Sequence, residues 1–295
     1  MSSGRAGSRS HSMHLIRQGR ARRSGESAGP VVLLVPGSDG NPAVFVRLAG
    51  LVPAGPAVFA FQSRGLEPGE QTLSTVEQIA AAYLEEAVRT RPHGPYVLGG
   101  WSMGAYVALE MARQADEAGL DVAGLHLIAP AVPVRGGYWA RRKARRELRA
   151  RLRDTQAQLE QAQAADPAAL QKMPLWDLAD DPLDEPAERP ADQLRRDLVN
   201  LANLAAGAHY RPRRAWKGRT VLYLPQEDPA DVQEQTLSFW SRVVPPGPQV
   251  VALNCEHHHA VYGAAAQTVA ASLGPRPDRT TNPYQTANGE EGVLK

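Results

Sequence analysis

The sequence contains one cysteine, almost no net charge and no long apolar run, and each of these shortages excludes a class of protein. Cys255 has no partner for a disulfide within the chain, which favours a reducing, cytoplasmic setting. The 33 Lys and Arg residues nearly balance the 31 Asp and Glu residues, so the basic excess of a nucleic-acid binder is missing. No apolar segment approaches the roughly 18 residues of a membrane span, and no signal-peptide-like apolar stretch follows the basic N-terminus. We therefore expect a cytoplasmic protein with neither a nucleic-acid partner nor a membrane segment.

The two ends of the chain lack apolar periodicity. Residues 1–28 are rich in Ser, Gly and Arg, and residues 275–295 are rich in Pro, Asn and Thr. Both segments are predicted to be flexible tails. The intervening residues 29–274 are long enough to bury a core without metals or disulfides.

Between the tails, short apolar runs alternate with helical patterns. Val31–Val35 is apolar throughout, which is typical of a strand buried on both faces. Ser74-Thr75-Val76-Glu77 has the capping-box pattern of a helix start. Six strands are predicted, over 31–35, 57–61, 96–100, 125–128, 220–224 and 249–253. Strands that alternate with helices predict an α/β fold with a mostly parallel central sheet and helices on both faces.

The alternation stops between about residues 133 and 216. This stretch has helical composition and no strand-like run, and its part from Tyr138 to Ala164 is highly charged. An insertion of this kind after a central strand predicts a helical lid, because long insertions in compact folds are usually functional. A separate small helical domain or a linker is the alternative.

The segment Gly100-Trp101-Ser102-Met103-Gly104 matches the pattern G-x-S-x-G. An apolar strand leads into it and an amphipathic helix leaves it, which is the context of a turn that exposes a nucleophilic serine. Glycines flank the serine because the turn is sharp and backbone passes close by. The alternative is a glycine-rich turn in which the serine has no chemical role.

A serine nucleophile needs a base, and the base needs an orienting acid. Cys255-Glu256-His257-His258-His259 follows the last predicted strand, where a catalytic histidine belongs. A solvated loop or a metal site are the alternatives, although adjacent residues do not have the spacing of zinc ligands. The loop after strand 125–128 has no carboxylate, whereas the loop after 220–224 contains Glu227, Asp228 and Asp231. For each of these three, a surface turn is the alternative role.

Acyl transfer also requires two backbone amides that hold the oxyanion of the tetrahedral intermediate. The amide of Met103, directly after the serine, is predicted to be one. The amide of Ser38, in the small-residue turn after strand 31–35, is predicted to be the other. A phosphate-binding loop is the competing interpretation of this turn, but the sequence lacks the G-x-x-x-x-G-K-S/T pattern.

Residues 30–273 resemble the thioesterase domains that release finished chains from nonribosomal peptide synthetases and polyketide synthases. The segments that carry the resemblance are 61–66 (FQSRGL), 94–104 (GPYVLGGWSMG) and 107–113 (VALEMAR). The resemblance implies an α/β-hydrolase fold with a helical lid. It also implies a substrate held as a thioester on the phosphopantetheine of a carrier protein, and an acyl-serine intermediate. It assigns Ser102 as nucleophile and His257 as base.

The chain departs from the multidomain members of this family at two positions. Ala129 stands where those members commonly carry the acid, directly after strand 125–128. Stand-alone editing thioesterases place the acid one strand later, where Asp228 stands, and we predict Asp228 as the acid. We expect Asp231 to cap a helix that begins near Val232. Ala105 replaces a further glycine after the turn and should leave the turn intact.

The sequence thus predicts a serine-dependent thioesterase that passes an acyl or peptidyl group from a carrier protein to water or to an internal nucleophile. No cofactor and no metal is expected. A small-molecule esterase of the same fold is one alternative, and a non-catalytic module that binds a carrier protein is another. The basic run of the lid is predicted either to contact an acidic carrier protein or to be a solvated face. It consists of Arg141, Arg142, Lys143, Arg145, Arg146, Arg149, Arg151 and Arg153.

Overall fold

A computed structural model describes residues 12–19, 29–92, 94–132, 138–165 and 190–274. Its centre is a seven-stranded sheet with the spatial order β1-β3-β2-β4-β5-β6-β7. Strand β1 pairs antiparallel with β3, and the other neighbours are parallel. The strands are β1 (Met13–Arg17), β2 (Val31–Val35), β3 (Ala57–Phe61), β4 (Tyr96–Trp101), β5 (Val122–Ile128), β6 (Thr220–Pro225) and β7 (Gln249–Leu253).

The helices occupy the connections between the strands. They are α1 (Val46–Leu51), α2 (Val76–Thr90), α3 (Gly104–Glu117), α4 (Tyr138–Ala165), α5 (Pro190–His209), α6 (Ala230–Val243) and α7 (Gly263–Leu273), with short 3-10 helices at Pro42–Phe45 and His257–His259. Helix α2 begins one residue later than the Ser74–Glu77 pattern predicts, because Thr75 is the N-cap and its side chain accepts a hydrogen bond from the Gln78 amide. Among the described residues no helix, the 28-residue α4 included, combines the length and apolar character of a membrane span.

Helices cover both faces of the sheet, as predicted. On one face, side chains such as Leu33 and Leu98 pack with α2, α3 and α6. On the other face, side chains such as Leu34 and Val97 pack with α1 and α7. Adjacent strand residues point to opposite faces, so the all-apolar run of β2 is needed to fill both layers.

The prediction of a flexible tail over residues 1–28 is wrong for residues 13–17. This segment forms β1, and Met13 and Leu15 lie opposite Phe61 and Phe59 of β3. The Ser12 carbonyl accepts from the Gln62 amide, and the Ser12 amide donates to Glu86 at 3.0 Å. A five-residue edge strand is stabilised by pairing with a distant strand, which local composition does not reveal. Residues 1–11 and 20–28 of the predicted tail, and the predicted C-terminal tail 275–295, lie outside the described residues.

The sequence predicts a lid over residues 133–216. The described part of this range contains α4, α5 and the start of the connection from α5 to β6. Helix α4 packs on α5 through a small apolar cluster that includes Leu159 and Leu198. Helix α5 in turn joins the main core through Ala206, and Tyr210 follows directly after it. Helix α5 therefore lies between α4 and the body of the domain.

Candidate active site

Ser102 lies in a sharp turn between β4 and α3. Its backbone has φ 53°, a left-handed conformation that costs a non-glycine residue about 1–3 kcal/mol. A Cβ on Gly100 would lie 2.3 Å from the Gly104 carbonyl oxygen, and a Cβ on Gly104 would lie 2.3 Å from the Pro36 carbonyl oxygen. The two glycines predicted to permit the turn are therefore required by close backbone contacts.

Two backbone hydrogen bonds connect this turn to the loop after β5. The Ser102 amide donates to the Ile128 carbonyl, and the Ser102 carbonyl accepts from the Ala131 amide, both at 3.0 Å. These bonds hold the strained residue against the centre of the sheet. The half-buried hydroxyl of Ser102 is thus presented at the carboxyl end of β4.

His257 is the histidine of the three that reaches the serine. Its Nε2 lies 2.9 Å from the Ser102 Oγ, which is hydrogen-bond distance for a base and its nucleophile. His257 begins the short 3-10 helix after β7 and is half-buried, whereas His258 and His259 are exposed. Burial lowers the pKa of His257 below its usual value, and His258 also lowers it, while Asp228 raises it.

Asp228 lies beside His257. Its Oδ1 accepts a hydrogen bond from the His257 backbone N–H at 2.9 Å. The loop that carries Asp228 is tied to the end of β7, because the Gln226 and Glu227 amides donate to the Leu253 and Cys255 carbonyls. This pairing brings an acid from the β6 loop to a base that is 29 residues away in the chain.

The other two carboxylates of this loop are exposed. Asp231 is not the cap of a helix that begins near Val232, because α6 begins at Ala230 with Pro229 as its N-cap. Asp231 lies in the first turn instead. The residue directly after β5 is Ala129, which adopts φ 39° and supplies no carboxylate. Of the three candidates, Asp228 is the one that the structure places against His257.

The segment 36–40, called the oxyanion loop below, lies against the serine turn. The Gly40 amide donates to the Gly37 carbonyl at 3.1 Å, so Ser38 and Asp39 are the middle residues of a tight turn. A Cβ on Gly37 would lie 3.3 Å from the Trp101 ring. Within the described residues, the backbone amides of Ser38 and Met103 donate no hydrogen bond. Neither amide has another acceptor there, and the oxyanion role of both stays a prediction.

Two residues near this site were given no role by the sequence patterns. Trp101 is buried, and its ring centroid lies 6.4 Å from that of His257. Asn203 of α5 is 4% exposed and donates to the Ser38 carbonyl at 2.9 Å. Asn203 is identified by the burial of its polar side chain on α5. Burial is visible only in the folded chain, so the sequence did not indicate this residue. No group of three or more His, Cys, Asp or Glu side chains in the described ranges is arranged to hold a metal ion.

Comparison with known proteins places this chain in a family. The family model described as the thioesterase domain matches residues 30–274. A nonribosomal peptide synthetase, btyA, of Aspergillus terreus is 40% identical over 95 residues, which are 32% of this chain and 10% of the synthetase. The indigoidine synthase of Streptomyces lavendulae is 40% identical over 114 residues, which are 37% of this chain and 9% of the synthase. The chain thus spans about a tenth of the length of these relatives.

Solved structures show the same architecture. The NocB thioesterase domain, in a covalent complex with a fluorophosphonate nocardicin G analog, is 25% identical with a TM-score of 0.58, over 88% of this chain and 96% of that chain. The type II thioesterase BorB from the borrelidin biosynthetic cluster is 19% identical with a TM-score of 0.55, over 85% of this chain and 91% of that chain. These similarities confirm the predicted α/β-hydrolase fold. Because the family model covers most of the chain, this protein belongs to the thioesterase domain family.

Proposed function

We propose that this thioesterase cleaves an acyl or peptidyl thioester through an acyl-enzyme formed on Ser102. The single observation that carries the proposal is the 2.9 Å contact between the Ser102 Oγ and the His257 Nε2 at a strained strand-to-helix turn. The Ser102 oxygen already lies within hydrogen-bond distance of a base whose pKa burial lowers below its usual value, which favours the neutral form that accepts a proton. The chain does not need to rearrange these two groups before the reaction.

In the first half-reaction, the Ser102 Oγ attacks the thioester carbonyl carbon and its proton passes to the His257 Nε2. The carbonyl oxygen gains negative charge and accepts hydrogen bonds from the Ser38 and Met103 amides. The C–S bond then breaks, and His257 returns the proton to the departing sulfur. The products are a free thiol and an ester on Ser102.

In the second half-reaction, water or an internal hydroxyl or amine attacks the ester carbonyl and gives its proton to His257. The C–Oγ bond breaks, and the proton passes from His257 to Ser102. Attack by water gives a carboxylic acid, and attack by an internal group gives a ring. Asp228 stabilises the imidazolium that forms in each half, because its carboxylate lies against the base.

Substitution of Ser102 by Ala tests this mechanism. We expect thioester turnover to fall to the residual level that a site without its nucleophile retains, about 10³ to 10⁴ above the rate in water. A fluorophosphonate probe should label the wild type at Ser102 and fail to label the variant. Ser238→Ala is a matched control, because Ser238 is exposed on α6. Normal turnover by Ser102→Ala would refute the mechanism, and failure of the wild type to label would favour a non-catalytic module.

We further propose that a carrier protein presents the thioester and docks on a groove of the lid, called the arginine groove below. This groove has a volume of about 710 Å³ between α4 and the end of α5. None of its lining residues is acidic. They are Arg142, Arg145, Arg146, Arg149, Arg153, His209 and Arg211.

The contacts within the arginine groove leave much of its positive charge available. Arg145 approaches the Ala208 carbonyl at 3.5 Å, and Arg149 approaches the His209 Nε2 at 3.2 Å. Both side chains therefore contact the C-terminal end of α5. The carbonyl end of a helix attracts cations but does not neutralise them. Arg146 and Arg153 form no ion pair with a described residue. The Arg146 and Arg153 guanidinium groups therefore favour an anionic partner.

The length of the row favours a protein surface over a small anion. Arg142 and Arg153 are eleven residues apart on α4, which corresponds to about 16 Å along a helix. A single phosphate cannot span this distance, whereas carboxylates along a helix of a carrier protein can. Of the predicted basic run, Lys143 instead pairs with Glu147 at 3.8 Å, and Arg151 lies outside the groove. The lone Cys255 supports a reducing, cytoplasmic setting for this encounter.

A further inference from the structure

Helix α5 contacts both parts of the proposed oxyanion hole. The Nδ2 of Asn203 donates to the Ser38 carbonyl at 2.9 Å and to the Ser63 Oγ at 3.0 Å. A Cβ on Gly207 would lie 3.1 Å from the Met103 Cγ. Asn203 and Gly207 are four residues apart and so lie on one face of the helix. The same helix face therefore approaches Ser38 and Met103, the two residues whose amides are proposed to hold the oxyanion.

The side-chain nitrogen of Asn203 is fully used by these two hydrogen bonds. The residue is 4% exposed and donates both hydrogens of this nitrogen. One of them reaches Ser63, whose amide donates to the Gly40 carbonyl at 3.0 Å. Val199, one helical turn before Asn203, lies 3.2 Å from the position of a Cβ on Gly40. Helix α5 thus clamps the oxyanion loop at its middle and at its end.

The hydrogen bond to Ser38 acts on the part of the turn that is free to rotate. Ser38 and Asp39 are the middle residues of the turn closed by Gly40 and Gly37, and the Ser38 carbonyl belongs to the peptide unit between them. This central unit can rotate to interchange turn types while the flanking residues move little. A donor on its carbonyl selects one orientation of this unit, while the Ser38 amide lies in the preceding unit, which the bond from the Gly40 amide to the Gly37 carbonyl holds. The bond also occupies the Ser38 carbonyl oxygen. This oxygen carries partial negative charge and would repel an oxyanion if the peptide unit turned it toward the site.

We propose that Asn203 is a positioning residue that holds the oxyanion loop in the conformation required for catalysis. It touches neither the substrate nor the reacting atoms, and it acts through the Ser38 carbonyl. Because Asn203 belongs to α5, the bond links this helix directly to the oxyanion loop. The inference rests on the proposed serine mechanism, in which the Ser38 amide is an oxyanion donor.

Substitution of Asn203 by Ala or by Asp tests the role. Direct loss of an oxyanion donor costs about 10² to 10³ in kcat, so mispositioning of a donor that remains present should cost about tenfold. We expect Asn203→Ala to lower kcat for an acyl N-acetylcysteamine thioester by this amount with little change in KM. We expect Asn203→Asp to lower it further, because its carboxylate repels the Ser38 carbonyl. The rate of Ser102 phosphonylation by a fluorophosphonate should fall in parallel, since the phosphoryl oxygen occupies the same site.

The controls separate positioning from folding. Asn200→Ala removes the same type of side chain from a half-buried position of α5 that forms no hydrogen bond with the described residues, and should leave both rates unchanged. Ser63→Ala removes the second acceptor and keeps the bond to Ser38, so its effect should be small. All variants should label to completion at Ser102, which establishes that the folded fraction is intact. Equal phosphonylation rates for Asn203→Ala and Asn200→Ala would overturn the inference, whereas a wild type that does not label would refute the serine mechanism itself.

Discussion

The carboxylate of Asp228 accepts a hydrogen bond from the backbone N–H of His257 at 2.9 Å and also raises the pKa of the His257 ring. The contact holds the start of the 3-10 helix and places negative charge next to the base. Asp228 therefore acts on His257 through backbone position and through charge. The two effects can be separated, because an Asn side chain retains an oxygen acceptor for the N–H and lacks the charge.

We predict that Asp228→Asn lowers the acylation rate, by up to about 10⁴, because the imidazolium loses the negative charge that stabilises it. The single-turnover rate of acyl-Ser102 formation at neutral pH measures the effect. Glu227→Gln and Asp231→Asn are matched controls, because both carboxylates are exposed in the same segment. A large loss in one of these controls, with a small loss in Asp228→Asn, would move the assignment of the acid.

The pH dependence of kcat/KM should reflect the burial of His257. The base must be neutral, so activity should rise with pH through the pKa of His257 in the free enzyme. Burial is the largest influence and lowers this pKa, so the acid limb should lie below the usual histidine value of about 6.5. Asp228 raises the pKa, and Asp228→Asn should therefore move the limb to still lower pH. A limb above the usual value in the wild type would contradict the electrostatic account.

Reversal of charge in the arginine groove should impair turnover of carrier-bound substrate alone. We expect Arg146→Glu with Arg153→Glu to raise the KM for an acyl-carrier protein by about tenfold or more at low salt, because these groups steer and hold an anionic partner. The difference from wild type should shrink as salt rises, since exposed charges are screened. Kinetics on the carrier-bound thioester across a salt series measure both effects.

Two comparisons make this prediction specific. Arg151→Glu with Arg242→Glu applies the same charge change at exposed positions outside the groove, and should alter the KM little. Turnover of an acyl N-acetylcysteamine thioester should be the same in all variants, because no carrier is involved. An unchanged KM for the carrier-bound substrate would show that the groove is not the docking surface.

The end of α5 should depend on a buried hydrogen bond to α3. The Tyr210 hydroxyl donates to the Glu110 carboxylate at 2.7 Å, and the same carboxylate pairs with Arg113 at 2.5 Å. Tyr210→Phe should lower the free energy of unfolding by about 1.5–3 kcal/mol, the contribution of a hydrogen bond to a charged group. Urea denaturation measures the change. Tyr262→Phe, on an exposed tyrosine, should cost far less, and equal losses would show that the Glu110 contact is not the cause.

The local sequence determined the parallel strands and the serine turn. Val31–Val35 is a strand because all five side chains are apolar and both faces of the sheet are covered. Gly100 and Gly104 permit the turn at Ser102 because any side chain there would collide with backbone. The apolar run and the glycine spacing are patterns within a few positions of the sequence, so they predict these features, although Gly104 is required by a contact with the distant Pro36.

Only the tertiary structure decided the features that join distant segments. It turned residues 13–17 into an edge strand, placed Asp228 rather than Glu227 or Asp231 against His257, and brought Asn203 to Ser38 across 165 positions. The catalytic role of Asp228 and the positioning role of Asn203 stay predictions. Composition and spacing do not record which buried polar groups will meet, because a hydrogen bond between remote segments depends on how the sheet and lid pack. The serine turn can therefore be predicted from the local sequence. The groups that position its base and the oxyanion loop are brought there only by the tertiary fold.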